Sequence, residues 1–511
     1  MVFRSILFAD SEQGQQAEAN PVPACFSDLQ LERIIESITT PKEDYRLRPF
    51  FYTPLRDLDL IAYRHEVMRD LEKPEVFALL DQFSKHMRTM HRYREQAQKL
   101  YYRYQQERWW LDAIDQYCQA LVTLTQGLKQ LPIESRGLQA FLSYLQDYLT
   151  SPAFLALQQE TEALKEALAQ VHYCLHIKGD AVTVRLYAGE EDYSAEIEAT
   201  FARFKQGAVK DYSVRLIDWQ EMNHVEAQIL ERVARLYPSV FAQLDDYYLR
   251  YQRYLDETIA RFEREIQFYL AYLEYLATFR RRGLPFCYPL LSLEEKASAA
   301  EDCFDLALAD LLLREGGQIV TNSFALAGRE RVLIVTGPNQ GGKTTFARAV
   351  GQLYYLASLG CPVPARSARL FLPDRIFTHF EREEQIENLR GKLEDDLVRL
   401  RTILKQATPA SLIILNEIFT STTLQDALFL SQQILRRLLA LDVLGVWVTF
   451  LDELASYSQQ TVSMVAEVDP GDPARRTFRV LRRPADGLAY ALALAQKYRL
   501  TSACLKERLP A

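Results

Sequence analysis

The chain has 511 residues, enough for about two to four domains with separate cores. With 48% apolar residues, 25% charged residues and a net charge of −8, its composition suits a soluble globular protein and rules out a nucleic-acid trap by overall charge. Seven scattered cysteines with no C-x-x-C, no signal peptide and no apolar run of about 18 residues argue against a disulfide framework, a zinc site or a membrane span. A cytoplasmic protein is expected.

In chain order, Phe3 to Phe8 is a short apolar strand candidate, followed by a polar run from Asp10 to Asn20. A helix starts near Asp28 and breaks at Thr39-Thr40-Pro41. From Tyr52 to about Leu168, apolar spacings of three and four predict several helices, punctuated by Pro54, Pro74, Pro132 and Pro152. Within this region, Arg88 to Trp110 interleaves Arg and Lys with Tyr and Trp. Such a pattern can grip phosphates and stack bases, but its spacing suits an amphipathic helix with rings inside and charges in water, and that reading is preferred.

Between His172 and Tyr187 the period changes to strand, turn, strand, with the turn at Lys178-Gly179-Asp180. His172, Cys174 and His176 share a face, but no further ligand completes a metal set, so an ordinary hairpin is expected. Long helices follow from about Tyr212 to Arg282, with Pro238 the only proline and rings recurring from Tyr247 to Tyr275. Arg280-Arg281-Arg282-Gly283 closes them, and Pro285 and Pro289 mark a linker. Thereafter strands at Val332–Val335, Ile376–Phe380, Leu412–Leu415 and Val446–Phe450 alternate with helices at Phe346–Leu359, Leu393–Ala407 and around Leu428–Leu439, which predicts a parallel sheet covered on both sides.

The chemistry concentrates at Gly337-Pro338-Asn339-Gln340-Gly341-Gly342-Lys343-Thr344-Thr345, a G-x-x-x-x-G-K-[ST] loop between a strand and a helix. Glycines let backbone N–H groups turn toward phosphate oxygens, and the helix N-terminus adds its positive dipole end. Lys343 can reach terminal phosphates, and the Thr344 hydroxyl can ligate Mg²⁺. The strand Leu412-Ile413-Ile414-Leu415 ends in Asn416-Glu417. Asn416 can support the water shell of the metal, and Glu417 is the candidate general base.

The run from Thr336 to Thr345 resembles the ATPase domain of the MutS family, a DNA mismatch-repair branch of the ABC ATPases, whose typical version is TGPNMGGKST. The likeness continues through Gly360-Cys361-Pro362-Val363-Pro364-Ala365, Asp374-Arg375-Ile376-Phe377-Thr378 and Leu415-Asn416-Glu417-Ile418. Thr422 and Asp426 fall on the family's following G-T-S-T-x-D-G, and Asn322 on the Asn of its F-x-x-N segment. Upstream, Tyr52-Thr53-Pro54-Leu55-Arg56-Asp57 through Ile61 and Arg64 resembles the P-L-x-D…I-x-x-R start of its core domain. The resemblance implies a multidomain α and α/β protein. Residues 1–45 form an N-terminal segment. Residues 46–290 form a helical core and lever domain with a β-hairpin insert at about 172–210. Residues 291–511 form an ABC-type P-loop ATPase domain with a mainly parallel sheet.

It also implies ATP and Mg²⁺ as cofactors, a homodimer through the ATPase domain, DNA as a partner, and ATP states that drive clamp and lever motions. Nucleotide binding falls to Asn322, Gly337 through Thr345, and, across the dimer, Gly391 and Lys392. Lys343 and Glu417 are the catalytic residues; Thr344, Asn416 (through water) and Glu417 face the metal. Three features depart from the family: Asn416 replaces Asp, the signature S-G-R-S-T-F becomes Asn388-Leu389-Arg390-Gly391-Lys392-Leu393, and its A-T-H becomes Val448-Thr449-Phe450. About 50 residues precede the core-like start, so a short form without the mismatch-reading and connector domains, and without mismatch discrimination, is expected. Backbone contacts would come from Lys178, Arg185, Arg203, Lys205 and Lys210. The alternative is a slow or inactive nucleotide switch that scaffolds a protein partner without DNA.

Overall fold

The computed structural model describes residues 3–8, 19–190, 200, 222–381, 391–469 and 475–485. The chain separates into two compact units. One comprises Met1–Phe3, Pro74–Ile133 and Gln139–Glu263; the other comprises Arg4–Lys73, Glu134–Leu138 and Arg264–Ala511. The class is the expected one, a helical region followed by an α/β region.

In the first unit, the helices Pro74–Lys99 and Arg103–Gln130 pack along each other. The Arg88 to Trp110 segment supplies ends of both, and most of its rings are buried or half-buried, as an amphipathic helix requires, while Tyr101 between the two helices is exposed. Trp110 is buried edge-on to Tyr254, and Trp109 meets Tyr93. Two of its cations pair within the unit, Arg103 with Glu107 and Arg108 with Asp112. The predicted hairpin forms from β1 (Tyr173–Lys178) and β2 (Ala181–Leu186), with Gly179 left-handed in the turn. The Cys174 thiol donates to Glu190. Among the described residues, no group of three or more His, Cys, Asp or Glu is placed to hold a metal.

The long helical stretch is divided more often than its prolines suggest, into His224–Leu236, Pro238–Arg250 and Glu257–Arg280. The second break has no proline or glycine. There the Asp256 carboxylate accepts from the amides of Thr258 and Ile259, capping the third helix and taking donors that a continuous helix would use internally. Among the described residues, no helix is long and apolar enough to cross a membrane.

In the second unit, the strand candidate at Phe3 to Phe8 is not a strand over Arg4 to Phe8. The Ser5 hydroxyl accepts from the amides of Leu7 and Phe8 and donates to Glu265, which also accepts from the Ile6 amide. Side-chain oxygens thus take the backbone bonds that a strand would offer to a neighbour.

The strands of this unit are β3 (Leu290–Ser292), β4 (Ser298–Cys303), β5 (Asn322–Leu326), β6 (Val332–Thr336), β7 (Ser367–Phe371), β8 (Ile376–Phe380), β9 (Leu412–Asn416), β10 (Leu444–Val448), β11 (Thr461–Val468) and β12 (Arg476–Arg482). They form a six-stranded sheet, β12-β11-β6-β10-β9-β8, and a four-stranded sheet, β3-β7-β4-β5. In the larger sheet every pair is parallel except β11–β12. Val332, Ile334, Ile413, Leu415 and Trp447 pack one face against Leu400 and Ile403 of the helix Lys392–Gln406, and against Leu435 and Leu438 of the helix Leu424–Ala440. The helix Lys343–Ser358 lies on the other face. A Cβ at Gly351 would come within 2.5 Å of a Leu29 methyl and 2.8 Å of an Ile414 methyl, so a larger residue there would push those side chains aside.

The segment singled out near Tyr52 to Arg64 clasps the far end of that helix. Leu55 N–H donates to Ser358 O, the Tyr355 hydroxyl to Phe51 O, and the fully buried Arg64 to Leu359 O and Leu7 O. A cation at a helix C-terminus meets its exposed carbonyls and its negative dipole end. The clasp steadies the helix whose other end opens the candidate site.

Candidate phosphate-binding site

Buried β6 delivers the chain into a turn of Gly337 (φ 114°), Pro338, Asn339, Gln340 (φ 60°), Gly341 and Gly342 (φ 91°), and Lys343 begins the helix. A Cβ on Gly337 would lie 2.9 Å from Ala466 O, so both conformation and space demand glycine. The loop leaves first-turn amides of a 16-residue helix unpaired at the mouth of a cavity of about 430 Å³. Its lining combines polar residues, Gln340 through Thr345 with Asn322 and Glu417, and apolar ones, among them Phe304, Leu308, Leu312 and Ile319.

Lys343 is buried and folded back, its ammonium donating to Gly337 O at 3.0 Å, Pro338 O at 3.2 Å and Asn339 Oδ1 at 3.3 Å. Glu417 Oε1 stands 3.6 Å away. Burial pulls the Lys343 pKa down, and the Glu417 carboxylate partly restores it. Among the described residues, this ammonium is held by carbonyl partners and one carboxylate, so an incoming phosphate would meet a cation ready to exchange them.

The Thr344 hydroxyl donates to Asn416 Oδ1 at 2.9 Å. A strand-end oxygen and a helix-start hydroxyl thus converge beside Lys343, the donor set that a hard cation such as Mg²⁺ takes together with phosphate and water. The residues present fit such a cation, with one charge fewer than a carboxylate would supply. Glu417 follows at φ 51°, its amide bound to Val448 O at 2.9 Å, and Phe419 at φ 62°. Two left-handed non-glycine residues within three positions cost about 1 kcal/mol or more each, and such strain persists where surrounding contacts over-determine it.

The remaining expected residues are placed differently. Asn322 lines the cavity, but its amide bridges β12, donating to Phe478 O at 3.2 Å and accepting from Val480 N–H at 2.7 Å. Gly391 and Lys392 do not line the cavity, and Lys392 pairs with Glu381. Asn388, Leu389 and Arg390, like Arg203, Lys205 and Lys210, lie outside the described residues. Phe450 is half exposed after β10.

Four residues here escape sequence reasoning. Phe478, at φ 60°, stands 3.6 Å from a Cβ position on Gly342, and Arg476 donates to Asn339 O at 3.2 Å. Both sit on β12, whose antiparallel return no motif marks. Buried His379 and Asp396 join at 2.8 Å. A histidine near the end of one strand and an aspartate early in a helix carry no shared spacing that would reveal the pair.

Residues 333–480 match the family model described as MutS domain V. Over 192 residues the chain is 34% identical to the endonuclease MutS2 of Thermus thermophilus, covering 37% of this chain and 25% of that protein. Over 143 residues it is 34% identical to the DNA mismatch repair protein Msh3 of Mus musculus, covering 28% of this chain and 13% of that one.

Proposed function

We propose that this chain, which matches MutS domain V over residues 333–480, is a MutS-like ATP-binding protein, a dimeric DNA-associated ATPase whose nucleotide state moves its helical region. The convergence of Lys343, Thr344, Asn416 and Glu417 on one cavity carries this reading. Lys343 gives up its loop carbonyls to hold the terminal phosphates, and the loop amides from Gly341 onward bind their oxygens. The Thr344 hydroxyl, and Asn416 through a water, would hold Mg²⁺. When bound, the metal would neutralise phosphate charge. Glu417, held by its strained turn, orients a water and accepts its proton. Gly391 and Lys392, which do not line the cavity of their own chain, reach the nucleotide of a partner copy.

For DNA, the reading is contact by charge and shape without mismatch discrimination, with Lys178 and Arg185 exposed on the hairpin. The measurement is ATP hydrolysis, with binding in parallel, on perfect, mismatched and branched DNA at two salt concentrations. Stimulation by DNA and a steep fall of affinity with salt are expected. A roughly tenfold preference for the mismatched duplex, about 1.4 kcal/mol, would refute the shape reading. Lys343→Ala should abolish nucleotide binding, and an unchanged titration would displace the site.

Asn416 and Phe450, which leave the site one carboxylate and one imidazole short of the family's pattern, favour a second reading. In it the protein is a slow or inactive nucleotide switch that scaffolds a protein partner without DNA. Nucleotide-dependent capture of a protein, with hydrolysis unaffected by DNA, distinguishes it.

A further inference from the structure

We propose that Asp396 is a positioning residue that holds Glu417 over the phosphate site and ties it to the segment facing the partner copy. The proposal rests on Glu417 acting as the base. Asp396 is the buried fifth residue of the helix that Lys392 begins. Its two oxygens are divided: Oδ1 is 2.8 Å from His379 Nε2 at the end of β8, and Oδ2 accepts from the Phe419 amide at 3.2 Å. Asp396, His379 and Phe419 are all buried, so water cannot replace either bond at low cost.

Phe419 is the second left-handed residue of the turn that begins at Glu417, so the Asp396 bond fixes the far side of that turn. The near side is fixed by the Glu417 amide on Val448 O. A second link runs parallel outside: the Thr420 hydroxyl donates to Glu381 Oε1 at 3.2 Å, and Glu381 also pairs with Lys392. The turn after β9 is thereby anchored twice to the start of the Lys392–Gln406 helix. Any contact that shifts Gly391 and Lys392 must move Asp396, and through the Phe419 amide the backbone that aims Glu417. Closure against a partner copy is in this way sensed at the site of the same chain.

The test compares the wild type with Asp396→Ala and Asp396→Asn. Three quantities are measured: the ATP hydrolysis rate, the dissociation constant for a fluorescent ATP analogue, and amide exchange at residues 417–420. In Asp396→Ala, kcat should fall at least tenfold, the dissociation constant should stay within about twofold, and exchange at 417–420 should rise at least tenfold. Asp396→Asn leaves one acceptor for two donors and should fall between; if the alanine variant does not fold, the same pattern in the asparagine variant carries the test. Exchange at 417–420 unchanged in a folded variant overturns the proposal, as does a parallel loss of affinity and rate. A wild type without hydrolysis removes the ATPase reading instead. Faster exchange in the variants would then still support the anchoring, because that readout does not depend on turnover.

Discussion

Asn416 is where this site departs most sharply from a carboxylate design. Its oxygen already meets the Thr344 hydroxyl, so the geometry of a metal site is present while one negative charge is missing. Asn416→Asp should raise Mg²⁺ affinity, because a carboxylate beside the cation adds an attraction that the amide lacks. A Mg²⁺ titration of hydrolysis or nucleotide binding reads this out, and curves that coincide with wild type would mean that position 416 does not face the metal. The rate need not rise, since Gly391 and Phe450 are unchanged. The loop residues were legible in the sequence because each meets a local demand: glycine for a left-handed turn, Lys and Thr at the opening of a helix. Asp396, His379 and Phe478 were not, because their roles depend on which distant strands and helices become neighbours. The fold alone decides that.

Among elements, the helix Lys343–Ser358 is held at both ends, by the glycine turn and by the Arg64 clasp. Arg64→Ala would leave Leu359 O and Leu7 O without their buried donor, each worth about 1–3 kcal/mol. Chemical denaturation should show a loss of roughly 2 kcal/mol or more, and a change within about 0.5 kcal/mol would mean that water or another group replaces the guanidinium. The Leu55 to Arg64 pattern was visible in the sequence. Its mechanical meaning was not, because nothing local says that this arginine caps a helix 295 residues away.

A second element-level expectation concerns the helices Arg103–Gln130 and Pro238–Arg250, joined where Arg103 pairs with Glu107 and with Asp245. Burial pushes the Glu107 carboxyl from its ordinary 4.5 up to about 7, with Asp245 adding to the rise and Arg103 opposing it. The folded state therefore keeps a proton that the unfolded chain releases near pH 4.5. This stabilisation is complete below that pH and is lost as pH rises through about 7. Denaturation of wild type and Glu107→Gln between pH 4.5 and 8 should diverge across that window, the variant varying less. Parallel profiles would show that Glu107 does not titrate there. The helices themselves follow from apolar spacing. The break before Glu257 escaped because an aspartate cap is a weaker signal than the proline that marks the preceding break.

At the scale of the whole molecule, the proposed function needs a site completed by a second copy. Within one chain the cavity holds Lys343, Thr344 and Glu417, while Gly391 and Lys392 stand away from it. The fold class could be read from alternating strand and helix patterns, but the order of strands in the sheet could not, because it depends on which distant strands pair. Assembly is expected only through the family resemblance, since the residues meant to act across an interface carry no local signal of it. Glu417→Gln removes the base and leaves the phosphate and metal contacts in place, so it should hold the closed assembly that turnover releases. The direct measurement is sedimentation of wild type and Glu417→Gln, each with ATP and Mg²⁺. If the proposed ATPase reading holds, the variant forms a persistent nucleotide-bound dimer and the wild type a smaller dimer fraction. A Glu417→Gln protein that binds ATP yet sediments as a monomer would contradict it.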